Sequence, residues 1–346
     1  MLDRIARLVS VAVIAALMTP LATAQPAKPW RVPRTADGHP DLQGNWTNAT
    51  LTPLTRPTGQ ERALTKEQVI RVEKIRADTI DRLSQASDPN RPAPPKGGDG
   101  SVGAAGMVGG YNYFYIDAGD HAMVVNGEHR SSIVVDPADG RIPPLTQEAR
   151  DRMAANGKRM SGFGQYDNPE NRPLAERCML SFGSNAGPPM LPNYFYNNNY
   201  TIVQTANDVM IMTEMVHDAR IIRLRPGPAL PEQVRLWFGD SRGRWVGDTL
   251  VIETGNFHPD QTFGASGERR RVTERLHRVD QRTILYRFTI DDPSTFTKPW
   301  SGELPFLTMD DLIYEYACHE GNYALANVLS GARAAEREAA PAKPDQ

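Results

Sequence analysis

The chain has 346 residues, 40% of them hydrophobic and 23% charged, with a formal net charge of −2. A balance so near neutral weighs against nucleic acid or an anionic surface as partner. Glycine and proline number 28 each, which favours many turns over long helices.

The leading stretch MLDRIARLVSVAVIAALMTPLATAQ has three parts. Arg4 and Arg7 form a basic head, an apolar run extends from Leu8 to Met18, and Ala22-Thr23-Ala24 is a small-x-small site. This order predicts a signal peptide over residues 1–24, cut between Ala24 and Gln25, and a periplasmic or secreted protein. The apolar run is shorter than the roughly 20 residues of a membrane span, and Pro20 interrupts it. No transmembrane span is therefore expected in the mature chain. In an oxidising compartment Cys178 and Cys318 are expected to pair; two separate buried thiols are the alternative.

Residues 25–110 read as a Pro- and Gly-rich arm with one helix. Pro26, Pro29, Pro33, Pro40, Pro53 and Pro57 oppose regular helix, so the segment up to residue 63 is expected to lie extended on the outside of the domain. Thr65 with Gln68 three residues later predicts a capping box. Val69, Val72, Ile75, Arg76, Ile80 and Leu83 then repeat at helical spacing. Residues 87–110 are a loop whose glycines lack the order of a phosphate cradle.

From Tyr111 the pattern becomes that of strands. An aromatic run at 111–115 is followed by a hairpin about Asn126-Gly127, a turn at 136–140 and a short helix at 146–156 ended by Gly157. Residues 167–192 form an irregular, proline-rich loop that Cys178 would pin as a wall over a pocket. Strands are expected at 200–205, 209–216, 220–224, 233–238, on both sides of Gly247-Asp248, and at 269–279, 283–291, 300–307 and 312–317. A helix at 322–338, capped by Asn322, and a disordered tail at 339–346 complete the chain. So many strands joined by short turns predict a mainly β fold: an antiparallel up-and-down barrel or strongly curved sheet, with one N-terminal and one C-terminal helix. Residues 111–338 would form that single barrel-like domain.

Gly44-Asn45-Trp46 resembles the G-x-W of a first lipocalin strand, which makes the expected barrel lipocalin-like. Several longer stretches, among them RSSIVVDPADGRIPPLTQEAR, GDSRGRWVGDTLVIETGNF and EYACHEGNYALANVLSGARA, resemble a large, mostly uncharacterised family of exported bacterial β-rich proteins. That resemblance implies export and one β-rich domain, and transfers no catalytic residue.

Glu214-x-x-His217 has the i, i+3 spacing of di-iron ligands, but on a strand the two side chains leave opposite faces, so no metal site is expected. Glu214 and Glu253 are candidate inward acids on neighbouring strands, and His217 a candidate partner unless His217-Asp218 is simply a turn. Arg244 and Trp245 could hold an anion or a ring, or form a rigid corner. His258 would lie at a barrel mouth. His319, beside Cys318, is a candidate acid or base at a pocket rim, and the alternative is a helix cap. No serine-hydrolase elbow, zinc pattern or dinucleotide fingerprint occurs, so no cofactor is expected.

The first functional expectation is cofactor-free acid–base chemistry of lyase, isomerase or hydratase type on a small lipophilic or aromatic molecule. Its catalytic candidates are His217, Glu214, Glu253 and His319; its ligand-binding candidates are Trp245, Arg244, Tyr196 and Tyr316. The alternatives are a non-catalytic periplasmic carrier of an apolar ligand and an envelope-associated structural protein. The enzyme requires an ionisable pair within about 3–4 Å in a cavity. The carrier requires a cavity lined only by apolar groups, and a lumen filled by packed side chains supports neither.

Overall fold

The computed structural model describes residues 30–85, 90, 92, 117–161, 164–181, 187–193 and 197–340. The fold is that of the unit Val32–Gln346. The expected leader, the Gly-rich loop at 93–110, the aromatic run at 111–115, Tyr196 and the last six residues lie outside the described residues.

The strands are β1 (Gly44–Thr47), β2 (Val124–Val125), β3 (Glu128–His129), β4 (Val134–Asp136), β5 (Asn199–Gln204), β6 (Asp208–Thr213), β7 (Ala219–Arg223), β8 (Asp240–Val246), β9 (Thr249–Gly255), β10 (Arg271–Arg278), β11 (Thr283–Asp291) and β12 (Trp300–Thr308). The helices are α1 (Lys66–Leu83), α2 (Gln147–Ser161) and α3 (Ala324–Ala339). Strands β5 to β12 follow one another around a sheet that β1 closes by pairing with both β5 and β12. The result is a closed, nine-stranded, mixed barrel of lipocalin-like form. The β2–β3 hairpin turns at Asn126-Gly127, both with positive φ, as a two-residue primed turn requires.

Strand parity builds the lumen. Val272, Glu274 and Leu276 of β10, then Ile284, Tyr286, Phe288 and Ile290 of β11, occupy alternate, buried positions. Trp300, Gly302, Leu304 and Phe306 continue the pattern on β12. Gly302 faces Phe288 in the register, and a Cβ there would strike its ring. Glycine is what lets the aromatic lie across the strand.

The two ends of the barrel differ. Tight turns at 205–207, 247–248 and 279–282 close one end. The segments 214–218, 256–270 and 292–299, together with 187–193, gather at the other, open end. The chain leaves β7 at the closed end and must return before β8 begins, so β7 and β8 run parallel and share one register pair, Arg223 with Arg242.

Several expectations are corrected. Gly44–Thr47 is no outer arm: Trp46 is buried and β1 is the closing strand. Residues 233–238 form the return crossover, where turn bonds from Val234 N to Pro231 O and from Gly239 N to Leu236 O replace a ladder. Residues 312–317 form no strand, because the outer edge of β12 is already shared by β1 and β4; Leu312 and Tyr314 stay 82% and 83% exposed. Helix α2 runs through Gly157, whose backbone stays on the negative-φ side and so does not stop it. Helix α3 begins at Ala324 rather than 322, with Tyr323 at its N-cap, while Asn322 Oδ1 accepts from Ala324 N at 3.2 Å. The capping box of α1 is present, with Val69 and Leu83 buried and Ile75 exposed. Among the described residues no helix is long and apolar enough to cross a membrane.

Candidate functional site at the open end of the barrel

An aromatic cluster fills the lumen. Tyr200 stacks on Phe306 at 5.0 Å, Tyr286 contacts Phe306 at 5.1 Å, and Phe288 meets Trp300 edge-on at 5.5 Å. Within it lies a buried polar chain. Arg220 of β7 grips Glu274 of β10 through two bonds of 2.5 and 2.9 Å. Tyr286 donates to Glu274 at 2.8 Å and accepts from Met190 N at 3.0 Å. Asn48 Nδ2 donates to Met190 O and to Tyr200 Oη, both at 3.2 Å. Burial drives the Tyr200 and Tyr286 hydroxyls above their ordinary range. Burial alone would lower Arg220, but the Glu274 carboxylate overrides it and holds the guanidinium charged. These groups bond one another, so the lumen is a packed core and supports neither the enzyme nor the carrier inside the barrel; any ligand space lies outside it, among the loops.

The open volumes lie elsewhere. A cavity of about 390 Å³ sits at the open end. Pro173, Leu174, Ala175 and Leu180 form one wall, Pro188 and Pro189 another, and Phe238 and Phe263 contribute rings. The wall at 173–181 is pinned by the Cys178–Cys318 disulfide, whose Cα atoms are 5.8 Å apart. Pairing is therefore as expected, and the pinned loop is a pocket wall. Phe263 also stacks on Trp300 at 6.0 Å, which joins the cavity to the internal aromatic cluster. Its polar lining is Ser181, Asp260, Gln261 and Thr262. Close by, His258 stacks on Trp237 at 3.9 Å and accepts at Nδ1 from Asp260 N at 3.2 Å.

Two further clefts of about 820 and 1120 Å³ border the same end and are rich in arginine. Several of their charges are paired: Arg235 with Glu268 at 3.0 Å, Arg269 with Glu148, and Glu253 with Arg244 outside the lining at 2.8 Å. Arg270 differs. Burial, opposed by Asp292, pushes its guanidinium down to about 10.

The predicted site residues fall into three places. Glu214, His217 and Tyr316 come together beside the disulfide. Glu214 is buried, and its carboxylate accepts from Asn199 Nδ2 at 2.6 Å and Tyr314 N at 3.1 Å. His217 is exposed, and its Nδ1 donates to Tyr316 O at 2.7 Å, since a carbonyl only accepts. The connection is the turn expected of His217-Asp218, tightened into a short 3-10 segment with Val216 at φ 62° and His217 at φ 46°. A β-branched residue in that left-handed region is strained. His319 is exposed and contributes its carbonyl to a turn with Asn322 N.

Glu253 is not an inward acid. On β9 the inward positions are Leu250, Ile252 and Thr254, so Glu253 faces outward and pairs with Arg244 across the outer surface. Nor are β6 and β9 neighbours, because β7 and β8 lie between them. Trp245 lies towards the closed end, half-buried and stacked on His39 at 5.0 Å. The candidates therefore do not converge on one site. Among the described residues no group of three or more His, Cys, Asp or Glu side chains could hold a metal ion.

No family model, curated protein or solved structure matches this chain.

Residues that the sequence reading passed over matter more. Glu274 shares parity with Val272 and Leu276, a signal of an inward acid readable in VTERL. Phe238, Phe263, Pro188 and Arg270 carry no local signal, since their importance arises only when loops meet.

Asp218 supplies a pH prediction. Burial raises its carboxyl from 3.8 to about 7, with His217 opposing, and Oδ2 has no hydrogen-bond partner. The folded state thus holds the proton more tightly than the unfolded chain. The associated stability is fully present below the unfolded pKa and is lost as pH rises through about 7. Asp218→Asn is expected to stabilise the protein relative to wild type near pH 8 and to give no gain near pH 4. Urea unfolding across that range checks it; parallel profiles would contradict it.

Proposed function

We propose that the chain is a non-catalytic carrier of a small apolar or aromatic molecule, held at the open end of the barrel. The observation that carries this reading is the 390 Å³ cavity outside the filled lumen, with proline, leucine and phenylalanine walls linked through Phe263 to the aromatic cluster; Ser181, Asp260, Gln261 and Thr262 give it a polar side, so it is not lined by apolar groups only. Its volume falls in the range of small-molecule sites, roughly 300–1,000 Å³. The three-part leader and the oxidised Cys178–Cys318 pair support work outside the cytoplasm, in the periplasm or beyond, as a member of the exported family that the sequence resembles.

A second reading retains acid–base chemistry at Glu214, His217 and Asp218, favoured by the strained backbone at Val216 and His217. It ranks below the carrier because none of these residues lines the open-end cavity.

Native mass spectrometry of protein recovered from the compartment to which it is exported is expected to show a retained small molecule. A naphthalene-based fluorescent probe should bind, and Phe263→Ala should weaken it by about tenfold, as loss of buried aromatic surface implies. A fold-competent Phe263→Ala with unchanged affinity would place the ligand elsewhere.

A further inference from the structure

Arg270 stands at the end of the 256–270 segment, immediately before β10, and is 1% exposed. A guanidinium offers five N–H donors in a planar fork. Here only Nη2 is engaged, on the backbone oxygen and Oε1 of Gln261. Nε and Nη1 are buried with no hydrogen-bond partner. The cation lies 4.0 Å from the centroid of the Phe257 ring, a contact that stabilises charge but satisfies no N–H.

Asp292 is near, yet its oxygens are committed. Oδ2 accepts from Ser266 Oγ at 2.7 Å, and Oδ1 accepts from Ser294 Oγ and N at 2.6 and 3.2 Å. Unpaired charged donors in a dry site are costly, so Arg270 holds binding capacity that its own chain leaves unused.

Arg270 lines the neighbouring 820 Å³ cleft, not the 390 Å³ cavity, and Gln261 stands between the two. Gln261 lines the 390 Å³ space, accepts from Arg270, and reaches Gly187 O in the opposite wall at 3.5 Å. Its side-chain amide has the planar shape of a carboxylate without the charge, and an N–H···O bond to a charged partner strengthens when both groups are ionised. The matching of arginine forks to carboxylates is geometric as well as electrostatic. Asp260 in the same lining opposes an anion, but its side chain is 73% exposed and screened by water.

Resting on the carrier reading, we infer that the carried molecule is an organic acid, whose apolar body fills the open-end cavity and whose carboxylate displaces the Gln261 side chain to bond Arg270. This names the ligand class: a monocarboxylate on an aromatic or aliphatic body small enough for the cavity.

The test compares 2-naphthoate with methyl 2-naphthoate by calorimetry on the full-length mature protein at neutral pH. Both should bind, the acid tighter by about tenfold or more, the range of one charged hydrogen bond. Arg270→Gln should bring the acid down to the level of the ester and leave the ester unchanged. Gln261→Leu, which frees Nη2, should raise the preference for the acid. Equal binding of acid and ester overturns the inference and leaves the carrier reading intact; binding of neither overturns both. A preference that persists in Arg270→Gln removes Arg270 from the site. If circular dichroism shows that Arg270→Gln does not fold, Gln261→Leu decides, and an unchanged or reduced preference for the acid overturns the inference.

Discussion

Glu274→Ala is expected to destabilise the barrel by about 3–5 kcal/mol, the cost of breaking a buried ion pair from one side. The carboxylate is 0% exposed and accepts from both Arg220 amino groups and from the Tyr286 hydroxyl. Its removal strands a guanidinium that is itself 4% exposed and whose Nε already lacks a partner. Two effects compete. The intact pair gains Coulomb energy in a low-dielectric lumen, but both ions have been taken out of water, so its net worth against an apolar replacement is small. The stranded charge is what makes the single substitution severe. Arg220→Met with Glu274→Leu should therefore be less destabilising than either Arg220→Met or Glu274→Ala. Urea unfolding at neutral pH measures all of these, and a double variant at least as unstable as the sum of the singles would refute the account. Since Tyr286 also accepts from Met190 N, Glu274→Ala should further loosen the 187–193 segment and lower probe affinity in the adjoining cavity.

Removing the disulfide is the second large effect. Cys178 and Cys318 are 140 residues apart, and the chain-entropy model assigns about 5 kcal/mol to a loop of that order. Native strain and residual structure in the unfolded chain reduce this, so Cys178→Ser with Cys318→Ser is expected to cost about 2–5 kcal/mol. Cys178 sits at φ 55°, and release from the bond lets it leave the left-handed region, which returns a small part of the loss. The functional consequence is local. The wall at 173–181 has short turn bonds of its own, such as Met179 N to Leu174 O at 2.9 Å, and the disulfide ties it to the 314–318 segment. Without that tie the cavity loses a rigid side, and the naphthalene probe should bind more weakly even under conditions where the double variant is folded. Equal stability and equal affinity before and after substitution, or before and after reduction by dithiothreitol, would show that the wall holds by packing alone.

Much of this architecture is legible in local chemistry. The alternation in RVTERLHR and TILYRFTID dictates strands with one buried face, because side chains on a strand point alternately to its two sides. Thr65 and Gln68 start α1, Asn126-Gly127 turns a hairpin, and the two cysteines pair. None of these needs a distant partner to be read, the choice of cysteine partner being trivial with only two.

The rest depends on which edges and faces are already taken. Gly44-x-Trp46 resembles a first barrel strand, and Gly44–Thr47 is one, but its closing role follows only from the gap that β5 and β12 leave for one strand. Residues 312–317 have the composition of a strand but find no free edge. Glu253 follows the continuous apolar run Leu250-Val251-Ile252, in which alternation vanishes, so its facing is ambiguous until pairing with β8 and β10 sets it outward. The cavity is assembled from 173–181, 187–189, Phe238 and 260–264, segments that share no local pattern. By itself the sequence determined strands β5 to β12, the barrel class and the cysteine pair, because periodicity and turn chemistry act between residues close in the chain. Only the tertiary structure decided which strand closes the barrel, which acid turns inward and where the open volume lies, because each of those is set by competition among distant segments for the same edge, face or space.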